Sequence, residues 1–410
     1  MRLLIVLLLV ISGLYLIANI GQDYNIYLGP KNLEECCSNN TPISITKPWS
    51  QTIGNQRTAI ILGKLSGQTT LNKTSEQVYD DILNASNFYS FNNFLQESSY
   101  NNLWLTGNVY GWFEIDTGDP QNFVNAADPF IDFTKIDRLI LVNPVPNSSY
   151  SLGAGSATPQ PFYTQEGIRN LVLTRIGFYT NDPWLFGSSD LSRRVAIEYG
   201  QDYNLLSHEF GHSLKLSHPG IVHCPNNQII SINMQNCLLL ETENVDQVGI
   251  GTGHYNSFFK ESMGWFKPSN IKEISETGEY TLKPLEVKTN DIQVLKVPRV
   301  TCPVTQNYSD PCGGDGKGWY YIEFRRNIGH DKGLFKNTAL EFNGVEIRID
   351  GYSNYPTAQI ESQLLDMEPP FWNSNHTLQP GKTFVEPFNN LSITTLEISD
   401  QYAKVRVVFP

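Results

Sequence analysis

The sequence predicts an α/β (α+β) domain followed by an all-β, sandwich-like C-terminal domain. Three observations carry that reading. From about residue 58 to residue 216, short β-rich runs alternate with helix-like stretches. Beyond Trp265 the helix-like pattern gives way to short alternating or β-branched runs separated by turn residues, over about 140 residues. The composition, 40% hydrophobic and 17% charged over 410 residues, suits a sizeable core and excludes a disordered chain, a collagen and a multi-span membrane protein.

Met1-Arg2 precedes a nearly unbroken apolar run, Leu3 to Ile17, which matches a secretory signal peptide or a signal anchor retained by residues 3–17. The small-residue cleavage pattern after it, Ala18 and Gly21, is poor, so both readings stay open over 1–21. Residues 22–54 are polar, carry the pair Cys36-Cys37 and read as a leader or pro-segment. A disulfide involving these cysteines and a thiolate cap on a metal are both open there.

The expected catalytic domain spans 55–267. Ala59 to Leu62 is a buried-strand candidate, Ser75 to Asn84 opens with a Ser/Glu cap and runs as a helix, and Tyr89 to Gln96 is a second helix. Leu103 to Ile115 reads as a strand pair with a glycine in the turn. Arg138 to Val142 suits a central strand, Ser148 to Pro161 a Gly/Ser/Pro loop, and Leu171 to Tyr179 another strand. In the C-terminal domain, 268–410, the strand candidates are Tyr280–Leu285, Ile292–Val297, Trp319–Phe324, Val345–Ile349 and Ala403–Phe409.

The chemistry concentrates in His208-Glu-Phe-Gly-His212 and His218. Four residues advance a helix by about 6 Å and one turn, so His208 and His212 project from one face and can chelate a single Zn²⁺. Pro219 stops any helix, and His218 arrives after that stop as a third ligand. Three protein ligands leave a fourth position open, as a catalytic zinc requires. Glu209 sits next to the first ligand, placed to act as general base on water. The expected reaction is zinc-assisted amide hydrolysis without a covalent intermediate. No G-x-S-x-G elbow competes, and Gly313 to Gly318 lacks phosphate-loop spacing and reads as a hairpin turn.

The long zinc motif resembles that of the metzincin metallopeptidases. Ser98-Ser-Tyr100 with Leu105-Thr-Gly-Asn-Val-Tyr-Gly-Trp112, Phe258-Phe-Lys-Glu-Ser-Met-Gly-Trp265, Gly278-Glu-Tyr-Thr-Leu-Lys-Pro-Leu285 and Tyr320-Tyr-Ile-Glu-Phe-Arg325 are similar to stretches of the gametolysin (autolysin) family. A fainter similarity links them to the immune-inhibitor-A peptidases. The resemblance covers about 55–410. It implies a secreted endopeptidase acting on cell-wall or matrix glycoproteins, with His208, His212 and His218 as ligands and Glu209 as base. Two positions depart from the pattern. Lys215 stands where metzincins turn through a left-handed Gly, and Ile250 stands where a Met is expected in the segment Val248 to His254 beneath the zinc.

Charge and cysteines set the surroundings. With 29 Lys plus Arg against 41 Asp plus Glu, the net charge of −12 provides no counterion-release drive toward nucleic acid. Six Cys allow fifteen pairings, among which Cys224–Cys237 and Cys302–Cys312 close short local loops. Seven N-x-S/T sequons, at Asn39, Asn72, Asn84, Asn147, Asn307, Asn375 and Asn390, fit a glycosylated exported chain. No calcium loop is recognisable. His223, His254 and Tyr255 are expected to be ordinary loop or packing residues. Two rival functions are a secreted adhesion or matrix-binding protein with lapsed catalysis, and a zinc amidase acting on small or glycan-linked amides. An intact Glu209 argues against the first.

Overall fold

The computed structural model describes residues 51–67, 73–145, 152–179, 204–224, 226, 228–230, 237–240, 243–249, 251, 253–299, 318–336, 342–353, 359–369, 376–387 and 390–410. The signal or anchor segment, most of the leader with Cys36 and Cys37, Ile250, Cys302 and Cys312 lie outside them. So do the sequons at Asn39, Asn72, Asn147, Asn307 and Asn375 and all but the last residue of the Gly313 to Gly318 turn.

The chain folds as a mixture of helices and three sheets. The first sheet is built from β1 (Gly54–Leu65), β2 (Leu103–Ile115), β3 (Arg138–Val145), β4 (Leu152–Thr164) and β5 (Gly167–Tyr179). Its order is β2-β1-β3-β5-β4, parallel throughout except for β4, which runs antiparallel to β5 at one edge. The expected central strand is central, because Leu139 to Val142 are buried and apolar on both faces. Helices α1 (Ser75–Ile82) and α2 (Phe91–Ser98) appear near their expected places. Thr74, with Gln77 closing a capping box, starts the first, one residue before the expected cap; Ser90 caps the second. A third helix, α3 (Pro120–Ala127), begins with Pro after Asp119.

Two strand expectations change. Leu103 to Ile115 is one continuous strand parallel to β1, where the sequence suggested a hairpin. Gly107 allows a close backbone approach there: a Cβ on it would stand 1.7 Å from Thr58 O. Most of the expected loop Ser148 to Pro161 is strand β4, with a register irregularity between Ser156 and Gln160.

After β5 come α4 (Asn204–Ser213), β6 (Gly220–His223), β7 (Leu238–Leu240) and α5 (Ser257–Ser262). Strands β8 (Ile271–Glu273), β9 (Gly278–Leu282), β10 (Val294–Arg299), β11 (Gly318–Glu323), β12 (Glu346–Ser353) and β13 (Gln359–Leu365) follow. The C-terminus supplies β14 (Thr383–Val385), β15 (Ser392–Ile398) and β16 (Ala403–Val408). A seven-stranded sheet runs β7-β6-β13-β12-β11-β10-β8, and a four-stranded sheet runs β14-β15-β16-β9. Leu295, Ile322 and Ile347 of the larger sheet share one core with Leu282, Ile393 and Val405 of the smaller, a two-layer arrangement.

The expected division at residue 267 is crossed by hydrogen bonds and by packing. Strands β6 and β7, from before that position, belong to the same sheet as β10 to β13. The core around α4 also takes in Val294, Trp319, Tyr321 and Ile360. Among the described residues no helix is long and apolar enough to cross a membrane. The expected disulfide Cys224–Cys237 is formed.

Candidate metal centre

Helix α4 carries the site and is fixed by its apolar face. Leu206 and Phe210 are buried with Leu214, just past the helix end, in one core, and the Phe210 ring meets Phe91 edge-on at 5.0 Å. The Arg138 guanidinium lies over that ring at 4.2 Å and donates to Ser213 Oγ at 2.5 Å. Anchored in this way, the helix presents His208, Glu209 and His212 toward strand β4 and the segment that follows the helix.

That segment turns at the position the family resemblance implied. Lys215 takes φ +75°, the left-handed conformation expected at its position. Leu216 N donates to Gly211 O at 3.1 Å and Lys215 N to His212 O at 2.9 Å, the paired hydrogen bonds of a Schellman stop. The stop also leaves the Leu216 carbonyl facing the site, where it accepts from His212 Nδ1 at 2.8 Å. His208 Nδ1 likewise donates to Gly249 O at 3.1 Å.

The three imidazoles converge. His208 Nε2 lies 3.1 Å from His218 Nε2, and His212 Nε2 lies 3.2 Å from each of the other two. Carbonyls can only accept, so the Nδ1 atoms of His208 and His212 carry the protons and their Nε2 atoms carry lone pairs. Those two lone pairs face each other at 3.2 Å with no proton between them, an arrangement that a cation relieves. Burial, reinforced by the neighbouring imidazoles, pushes His208 down to about 3 and His212 down to about 4, so both are neutral donors at pH 7. The cluster could therefore hold a metal ion.

Glu209 is buried beside this cluster. Burial pushes its carboxyl up to about 7, against the pull of His218 and of a hydrogen bond from the Gly155 N–H. Strand β4 reaches it because two alternate residues on one strand face are glycines. A Cβ on Gly153 would stand 2.1 Å from Glu209 Oε1, and one on Gly155 would stand 1.8 Å from Glu209 O. Sequence reasoning missed both glycines. The available signal was their spacing of two within Gly153-Ala-Gly155, which suits a strand face under close contact as well as it suits a loop.

The residues set aside from the site are elsewhere. Tyr255 is buried and donates to Ser207 O at 2.7 Å, a packing role. His254 is fully buried, contrary to the surface loop position expected for it. Its Nε2 faces Glu97 Oε1 at 3.0 Å, its Nδ1 faces Lys260 Nζ at 3.2 Å, and Asp331 accepts its backbone N–H. His223 is half-buried on β6. No protein-family model matches the chain, and no curated protein matches it.

Proposed function

We propose that this chain is a secreted zinc-dependent endopeptidase of metzincin type, with His208, His212 and His218 as ligands and Glu209 as general base. The observation that carries the proposal is the convergence of three imidazole Nε2 atoms beside one buried carboxylate. Nitrogens about 2.0–2.1 Å from a tetrahedral zinc lie about 3.3 Å apart, close to the 3.1 to 3.2 Å separations found here. Three imidazoles, with no thiolate or fourth ligating side chain beside them among the described residues, suit an open, catalytic zinc.

When bound, zinc polarises a carbonyl oxygen and lowers the pKa of water to about 7. Glu209 takes a proton from the attacking water on a carboxylate oxygen and returns it to the leaving amine nitrogen. A carboxyl poised near neutrality is suited to both transfers. The Gly155 N–H and the bare backbone at Gly153 hold that carboxylate in place. Strand β4 pairs with β5 alone among the described residues, so its outer edge is available to an extended peptide beside Glu209. An edge of this kind favours a polypeptide substrate over a small amide. The Cys224–Cys237 disulfide suits an oxidising, extracellular setting.

The test is cleavage of casein or gelatin by the purified full chain, with zinc content recorded. Wild type, Glu209→Ala and a chelator-treated sample are compared. Activity lost in both controls, with zinc retained in Glu209→Ala, supports the proposal. Retained turnover in Glu209→Ala sinks the mechanism, and a zinc-loaded wild type without cleavage favours the matrix-binding reading.

A further inference from the structure

The third histidine is not held by its own helix. The chain leaving α4 is laid onto β13, a strand more than 140 residues later. Ile360 N donates to Lys215 O at 3.1 Å and Ser217 N donates to Ile360 O at 2.9 Å, so Leu216 and Ile360 form a parallel bridge. Three residues further along β13, pairing resumes with Gly220 opposite Gln363, Ile221 opposite Leu364 and Val222 opposite Leu365. From bridge to ladder the histidine side advances from 216 to 220, four residues, while β13 advances from 360 to 363, three residues. The one extra residue falls in the stretch 217–219, and His218 is its centre. An extra residue on one strand re-aims the side chains it carries. Here the excess lies between two hydrogen-bonded anchor points, with His218 Nε2 on the other two imidazoles.

We propose that strand β13 is a positioning element of the metal centre, through an Ile360 clasp and a one-residue bulge that together aim His218. This inference rests on the zinc reading of the site. It makes metal affinity a property of the C-terminal sheet as well as of the His208–His212 helix. The same clasp bears on the second ligand, because the Leu216 carbonyl that orients His212 belongs to the bridged residue. Zinc binding and pairing along β13 are therefore reciprocal: each strengthens the other.

The test uses full-length chain and reads zinc affinity by competition with a chromophoric chelator, together with the visible spectrum of the cobalt(II)-loaded protein. Both polar groups of Ile360 face residues 215–217, so Ile360→Pro removes the clasp donor and spares the hydrogen bonds between β13 and β12. Ile360→Val keeps the donor and is the conservative control. The expected result is at least tenfold weaker zinc binding and an altered cobalt spectrum for Ile360→Pro, with Ile360→Val like wild type. Equal affinity and spectrum in folded Ile360→Pro would overturn the inference. If Ile360→Pro does not fold, amide hydrogen exchange of wild type decides. Zinc should slow exchange at Ser217 and Ile360 at least tenfold more than at Val405 in the four-stranded sheet, and uniform slowing would overturn the inference. A wild type that binds neither zinc nor cobalt sinks the zinc reading itself, a result distinct from either.

Discussion

The imidazole of His212 donates from Nδ1 to the carbonyl of Leu216, 2.8 Å away, four residues further along the chain. The end of helix α4 and the orientation of one imidazole of the candidate metal cluster are thus one structural event. Leu216 has its carbonyl in that position because Lys215, at φ +75°, turns the chain out of the helix.

Relief of that turn is measurable. A side chain in the left-handed region costs roughly 1–2 kcal/mol, and a glycine there loses part of the gain through its freer unfolded chain. Lys215→Gly is expected to stabilise the fold by about 0.5 kcal/mol, leaving zinc affinity unchanged, whereas Lys215→Val destabilises it. Denaturant midpoints of the three chains check this. A destabilised Lys215→Gly would mean that contacts of the lysine side chain outweigh backbone strain.

Gly153 and Gly155 should respond differently to alanine. At Gly153 the new methyl meets the flexible end of Glu209, 2.1 Å from Oε1, so the carboxylate swings aside and the fold survives. Gly153→Ala is expected to lose about a hundredfold in turnover, on the scale of a displaced general base, with zinc content intact. At Gly155 the methyl meets Glu209 backbone oxygen at 1.8 Å and His212 Cβ at 2.9 Å, so strand and helix must separate. Gly155→Ala should lower stability and zinc affinity together. Parallel assays of turnover, zinc content and thermal unfolding separate the two outcomes.

Asp246 closes the loop that carries Gly249. Its Oδ1 accepts from Val248 N at 2.7 Å and its Oδ2 from Asn256 N at 2.5 Å, and the side chain is fully buried. Asp246→Asn replaces one acceptor with a donor facing a donor, at a cost of about 1–3 kcal/mol. Because Gly249 O orients His208, zinc binding should weaken as well. Urea titration and chelator competition on the same variant measure both effects, and weakened folding with wild-type zinc affinity would uncouple the loop from the ligand.

The buried junction of the larger sheet makes stability fall as pH rises. Burial, with Glu323 adding to it, pushes Glu346 up to about 8 against the pull of Arg325 and Arg348. A carboxyl raised on folding takes up a proton, so its contribution is full below about 4.5 and is lost as pH rises through about 8. Stability should fall between about pH 4.5 and pH 8, by no more than about 1.4 kcal/mol per pH unit for this group, and level off above that. Glu346→Gln should flatten that limb. On the acid side, burial opposes ionisation of Glu97, but His254 and His330 together hold it down to about 2. Its contribution is therefore present above about 4.5 and lost as pH falls toward 2. Denaturant midpoints at pH 3, 5, 7 and 9 for both chains test the signs.

Much of the local structure was legible in the sequence. The spacing His208 to His212, the stop before Pro219, the central strand 138–142 and the Cys224–Cys237 pairing all depend on residues a few positions apart, whereas the left-handed residue at 215 was expected only from the family resemblance. The misread strand pair and the misread loop share one cause. Glycines at 107, 153 and 155 suggested turns or loops because glycine permits them, whereas here glycine permits close contact with Thr58 and Glu209 across the fold.

By itself the sequence determined which atoms are available for metal chemistry and the helix that spaces two of them, because helical periodicity and chain termination are local. Tertiary structure decided where the third imidazole points, which strand lies against Glu209, and that β6 joins the C-terminal sheet. Those outcomes depend on pairing between segments as distant as Leu216 and Ile360. Such pairing leaves little local pattern, since its register is set by burying both segments in one core and satisfying their backbone hydrogen bonds together.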